Sequence, residues 1–172
     1  GGSAIHTRNG VVDDEVESEA EAFARARHFL SFMPEHVGQL ARRKLSGDPV
    51  DRREEALLSL VPREDKQVYS MRRCLDHVFD RGTVFEIGRM WGRAVITALA
   101  RLDGWPVAVL ASDPSYLGGS WDAKSSEKVE RFVKLADQFR LPIVHLVDNP
   151  GFMIGREAEM AGTIRYGVQA MN

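Results

Sequence analysis

The residues best suited to chemistry run Val147-Asp148-Asn149-Pro150-Gly151-Phe152-Met153-Ile154-Gly155-Arg156-Glu157-Ala158-Glu159. Pro150 presets one turn dihedral and Gly151 is free to take positive φ, so the pair predicts a type II turn just beyond Asp148. Such a bend leaves backbone N–H groups facing outward, and Gly155 lets a ligand approach the main chain. Glu157 and Glu159 fall in the first turn of the helix that follows, where unpaired amides and the helix dipole favour negative charge. The chemistry this supports is stabilisation of a developing oxyanion by main-chain donors, each typically worth about 3 kcal/mol.

Competing chemistries lack their residues. There is no Gly-x-x-x-x-Gly-Lys-Ser/Thr loop for nucleoside triphosphates and no Gly-x-Ser-x-Gly nucleophile elbow. His6, His28, His36, His77 and His145 are scattered without metal-ligand spacing, so no metal site is expected. His145 sits inside an apolar run and reads as a core histidine. Asp148 stands at a strand end, placed either for function or to cap the loop through local amides. Phe152 and Ile154 either line a pocket or anchor the loop. Gly118 and Gly119 form a second glycine loop, bordering the same cleft or serving as a plain turn.

These residues need a frame, and the sequence provides one. Ser18 with Glu21 has capping-box spacing, and Phe23, Ala26, Leu30 and Met33 recur at helical intervals until Pro34. Residues 35–67 are polar and broken by Gly47, Pro49 and Pro62, as in an interdomain connector with a short helical patch from Glu54 to Leu60. A helix is expected over Met71–Phe79, with strands over Thr83–Ile87, Ala94–Leu102 and Pro106–Ala111. The last two meet at Asp103-Gly104, a strong hairpin signal. Ser125 or Ser126 then caps a helix whose stripe is Val129, Phe132, Val133, Ala136 and Phe139. It leads to an apolar run, Ile143–Val147, of the kind covered on both faces. One more helix runs from Arg156 to the terminus, its Gly162 and Gly167 marking close packing on another backbone.

Composition narrows the classes further. With 172 residues, 44% hydrophobic and 28% charged, the chain can bury a core. A formal net charge of −2 gives no basic footprint for nucleic acid. The arginine pairs at 42, 43, 52, 53, 72 and 73 read as solvated faces. No apolar run approaches a membrane span, and Cys74, the single cysteine, reads as a core residue in a reducing compartment.

Four stretches together carry a family resemblance. Gly1-Gly2-Ser3-Ala4-Ile5-His6-Thr7-Arg8-Asn9-Gly10-Val11 is followed by a helix ending Phe29-Leu30-Ser31-Phe32-Met33-Pro34. Next come Leu60-Val61-Pro62, Val68-Tyr69-Ser70-Met71 and Val84-Phe85-Glu86-Ile87. The third stretch is Gly104-Trp105-Pro106-Val107-Ala108-Val109-Leu110-Ala111, continuing through Asp113-Pro114, Gly118-Gly119, Trp121-Asp122, Lys128 and Arg131-Phe132. The fourth is the loop at 147–159. In this order they resemble the carboxyltransferase (beta) subunit of biotin-dependent acyl-CoA carboxylases, the propionyl-CoA and methylcrotonyl-CoA type.

The resemblance implies an α/β crotonase/ClpP-like spiral of ββα units, incomplete at both ends. Residues 1–34 would close an N-terminal domain, 35–67 connect, and 68–172 begin a C-terminal domain. It implies carboxyl transfer from carboxybiotin to the α carbon of an acyl-CoA thioester, in which backbone amides stabilise oxyanions. The family's oxyanion Gly-Gly or Gly-Ala steps fall outside this chain, so no catalytic residue is assigned and the segment alone is expected to be inactive. Gly151, Phe152, Met153, Ile154 and Gly155 would wall the biotin-side pocket, with Gly118 and Gly119 at its border. Implied partners are a biotin carboxylase or biotin carrier subunit and further copies in a hexamer. The implied place is the cytoplasm, or the mitochondrial matrix in a eukaryote. Alternatives are a biotin-dependent acyl-CoA decarboxylase subunit and another crotonase-type acyl-CoA enzyme. Gly167-Val168-Gln169 stands where many members have Gly-Ala-Lys, Ser70 where they have Asp, and Trp121 where they have a smaller apolar residue.

Overall fold

The structure is a computed structural model that describes residues 1–36, 38–45, 47–64 and 67–171. Val37, Ser46, Asp65 and Lys66 of the expected connector, and Asn172, lie outside the described residues. Among the described residues, seven α-helices and four strands follow in the order α1 (Ser3–His6), α2 (Glu19–Leu30), α3 (Leu57–Leu60), α4 (Met71–Val78), β1 (Phe85–Ile87), β2 (Val95–Leu102) and β3 (Trp105–Ser112). After a 3-10 turn at Leu117–Gly119 come α5 (Ala123–Gln138), β4 (Ile143–Leu146), α6 (Arg156–Met160) and α7 (Thr163–Met171). The sheet order is β1-β2-β3-β4, antiparallel up to β3 and parallel from β3 to β4.

The hairpin forms where the sequence places it. Leu102 pairs with Trp105, and Asp103 and Gly104 both take positive φ, 51° and 76°, which matches the twist of the flanking strands. Asp80 fixes this turn by accepting the Asp103 and Gly104 amides at 3.0 and 2.7 Å. Glycine is required at 104, since a Cβ there would collide with the Lys44 carbonyl.

Period-two alternation along β2 and β3 builds two cores. Val95, Leu99, Ala108 and Leu110 face α5 and pack with Phe32, Ala41, Val129, Phe132 and Ala136. Ile96, Ala98, Ala100, Val107 and Val109 face α4 and pack with Met71, Cys74, Leu75 and Phe79. The sheet is therefore the middle of three layers, and Cys74 is a core residue as expected.

Several local expectations are corrected. In α2, Ser18 caps through Glu21 N–H as predicted, but Phe23 and Leu30 are 54% and 62% exposed and Ala26 is exposed too. The inward face carries His28, Phe29 and Phe32, with the His28 ring 5.0 Å from Phe85 and 5.2 Å from Phe32. Of the expected stripe only Met33, like Phe32 just beyond the helix end, packs on the core; both faces of this helix carry apolar side chains, so periodicity alone misplaced the rest. In α5 the cap is Asp122, whose Oδ1 accepts from Ser125 N at 2.8 Å and Ser125 Oγ at 2.6 Å. Ser125 and Ser126 are fully buried in the first turn instead.

Among the described residues strand β4 is the last in the sheet and is only partly covered. Ile143 is 43% exposed, and His145 points to solvent rather than into the core. The final helix is two, because Gly162 at φ 76° breaks it after Met160 and Thr163 Oγ1 then donates to Ala158 O at 2.8 Å. Gly167 is closely packed, but on an aromatic ring rather than a backbone: a Cβ there would lie 2.5 Å from the Phe152 ring.

Candidate functional site at the end of strand β4

Three elements converge on Asp148, two residues past β4. Its N–H donates to Ser112 Oγ at the end of β3 at 3.2 Å, and its carboxylate accepts from the Tyr69 hydroxyl at 2.6 Å. Gly119, at φ 78°, lies so near that a Cβ would sit 2.6 Å from Asp148 O. Burial, with the Asp148 carboxylate beside it, pushes the Tyr69 phenol above its ordinary value, so the hydroxyl stays a donor.

The following loop is tied down a second time. Trp121 N–H donates to Gly151 O at 3.0 Å and Met153 N–H donates to Trp121 O at 2.8 Å, a short parallel bridge. The Trp121 and Phe152 rings meet edge to face at 5.9 Å. The Trp121 Nε1 is shielded from solvent and has no hydrogen-bond partner among the described residues. Gly151 N–H bonds Asn149 Oδ1. Several amides that a simple type II turn would leave free are therefore used within the loop. Helix α6 is five residues long with Glu157 and Glu159 in its first turn, so its dipole adds little attraction for an anion.

The sequence-predicted site residues separate into two kinds. Phe152 is half-buried between Trp121 and Gly167, which is an anchor's position, and Met153 is half-buried beside it. Ile154 is 87% exposed, and at both Gly151 (φ 125°) and Gly155 (φ 109°) a Cβ would meet nothing within 4 Å. The loop thus presents an apolar side chain flanked by bare main chain, on a backbone fastened from behind. Gly118 and Gly119 belong to the 3-10 turn, and Gly119 does border the loop through Asp148. Glu159 is exposed, and only its main-chain N–H meets the loop, donating to Gly155 O at 3.0 Å.

The larger clefts lie elsewhere, among residues whose roles spacing did not reveal. One of about 470 Å³ is lined by Asp13, Asp14, Arg25, Arg72, Glu86 and Arg89. Here Arg72 bonds Glu86 at 2.6 Å and Asp113 at 2.5 Å. Arg52 donates to His77 O and Phe79 O at 2.9 and 2.8 Å. These two arginines are internal braces, whereas Arg42, Arg43, Arg53 and Arg73 are exposed as expected. A second cleft of about 370 Å³ is lined by Lys128 and Arg131. Lys128 is 2% exposed, donates to Val95 O at 2.7 Å, and burial lowers its pKa to about 8. Among the described residues no group of three or more His, Cys, Asp or Glu is placed to hold a metal. No helix among them is long and apolar enough to cross a membrane.

The loop, the hairpin and the ββα succession can be set beside known proteins. The family described as carboxyl transferase domain matches residues 1–172. The chain belongs to that family. Propionyl-CoA carboxylase beta chain of Roseobacter denitrificans is 34% identical over 172 residues, covering 99% of this chain and 34% of the relative. Methylmalonyl-CoA decarboxylase subunit alpha of Veillonella parvula is 33% identical over 172 residues, covering 99% and 34%. Among solved structures, the transcarboxylase 12S hexamer with hydrolysed methylmalonyl-CoA bound superposes with TM-score 0.93 at 31% identity. That match covers 98% of this chain and 33% of that one.

The chain therefore spans about a third of the length of the curated relatives it matches. The fold is crotonase-like α/β, as the carboxyl transferase resemblance implied. Of the residues that depart from the family pattern, Trp121 and Ser70 have structural roles here. Trp121 supplies the bridge and the ring against Phe152. Ser70 caps α4 by accepting Arg73 N–H at 3.4 Å. Gln169 lines a groove between α5 and α7.

Proposed function

We propose that this chain serves the transfer of a carboxyl group from carboxybiotin to the α carbon of an acyl-CoA, with residues 151–155 walling the biotin side. Family membership supports the reaction class. The observation that carries the placement is the loop itself, fastened at Asp148 and at Trp121 while Gly151, Ile154 and Gly155 stay open. A compact, folded bicycle with an apolar thioether ring and a planar polar ureido group fits such a surface, apolar side chain against ring and bare main chain against oxygen. When bound, biotin would bring the carboxyl group and a base for the α-proton. The protein's part is to orient that group and keep water from it.

On this reading residues 1–34 close an N-terminal domain, 35–67 connect, and 68–172 begin a C-terminal one. The partners are a biotin carboxylase or carrier subunit and further copies of the chain. The relative named methylmalonyl-CoA decarboxylase favours a second reading, in which the same carbon transfer runs towards release.

Ile154→Glu in the full-length protein tests the placement, because an 87% exposed side chain can change without unfolding the protein. The expected result is a KM for free biotin raised by about tenfold or more with the acyl-CoA KM within about twofold. Unchanged biotin kinetics would remove the loop from the site. Carboxylation against decarboxylation, measured with purified carrier and acyl-CoA, separates the two readings.

A further inference from the structure

We propose that Tyr69 and Asp148 form a positioning pair that sets the pose of the 149–155 loop for carboxyl transfer. This rests on the biotin-side reading of that loop. The two residues are 79 positions apart, yet the Tyr69 hydroxyl donates to Asp148 Oδ2 at 2.6 Å. Tyr69 is half-buried against the core beneath the sheet, between the connector and Ser70, the cap of α4. Ser115 Oγ donates to its carbonyl at 3.5 Å. The phenol is thus held by elements that do not belong to the loop, and it hands that rigidity to Asp148, the residue from which the loop departs.

An aspartate at a strand end followed by Asn-Pro-Gly has an obvious alternative partner, the next free amide of its own loop. Asn149 already occupies Gly151 N–H. A second side chain competing for the same stretch of main chain would twist the bend and move Ile154 and Gly155. Directing the Asp148 carboxylate sideways to Tyr69 removes that competition. Ser112 Oγ accepts the Asp148 N–H, and the Gly119 main chain lies close against the Asp148 carbonyl. Asp148 therefore has its N–H, carbonyl side and carboxylate each met by a different element, and the loop leaves it in one direction.

The test uses the full-length protein with free biotin as probe. Tyr69→Phe is expected to raise the biotin KM about three- to tenfold with the acyl-CoA KM within about twofold. Asp148→Ala should reproduce this, the double variant should be no worse than either single one, and Asp148→Asn, which keeps an acceptor for the phenol, should stay near the parent. A purely structural pair would move both KM values together, and that outcome overturns the proposal. An unchanged biotin KM in Tyr69→Phe while Ile154→Glu raises it overturns the pair alone. No change in either variant overturns the biotin-side reading with it. Should Tyr69→Phe fail to fold, the contrast between Asp148→Ala and Asp148→Asn decides by the same readout.

Discussion

The β2–β3 hairpin and the segment after β4 both carry many apolar residues and use them in opposite ways. From Val95 to Arg101 and from Pro106 to Ser112 every residue is buried, with partners above and below the sheet. After β4, Val147 is 68% exposed, Ile154 87% and Met160 78%. In the first region side chains hold the backbone. In the second, main-chain bridges, glycines and one distant phenol hold it, which leaves apolar side chains available for contact. Rigidity without burial is what a binding loop on a scaffold requires.

The largest effect that would break this contrast is a core truncation. Leu99→Ala should destabilise by about 3 kcal/mol, whereas Ile154→Ala should change stability by less than about 0.5 kcal/mol. Denaturant midpoints of both variants check it, and similar losses would show that the loop is packed after all.

Burial of a charge sharpens the same contrast on the core side. Lys128, lowered to about 8 from 10.5, binds its proton less tightly folded than unfolded. Below pH 8 both states are protonated and the burial penalty is complete. As pH rises from about 8 towards 10.5 the folded protein loses the proton first, so this group's contribution to stability improves. The stability advantage of Lys128→Met over the parent should therefore be greatest below pH 8 and shrink by on the order of 2 kcal/mol by pH 10. A difference that stays flat with pH contradicts the assignment.

At the loop, Gly167→Val should cost about 1–3 kcal/mol by forcing a side chain into the Phe152 ring. Combining it with Phe152→Ala should relieve part of that strain, and strictly additive thermal shifts would show that the two residues do not touch. The smallest expected effect is the cap. Asp122→Ala should lose about 1 kcal/mol. Its measurement by thermal unfolding tests whether Asp122, and not a serine three residues on, starts α5.

Much of the frame could be read directly. Asp103-Gly104 between two apolar runs, the Val129–Phe132–Ala136 stripe and the Ser18 cap are local patterns whose physics acts within a few residues, and each forms as read. The face of α2, the exposure of β4 and the bracing bonds of Arg52 and Arg72 were not legible, since each depends on what lies across from the element. Of the loop, the strand-to-glycine succession was plain, but not the Trp121 bridge that occupies its amides.

The sequence by itself determined the family, the strand succession around the hairpin and the glycines that bend the chain beyond β4, because backbone preference and side-chain period are local properties. Only the tertiary structure decided that Phe152 anchors while Ile154 stands free, and that Tyr69 reaches Asp148. Contacts between residues 79 positions apart come from how layers stack, and no spacing along the chain encodes them.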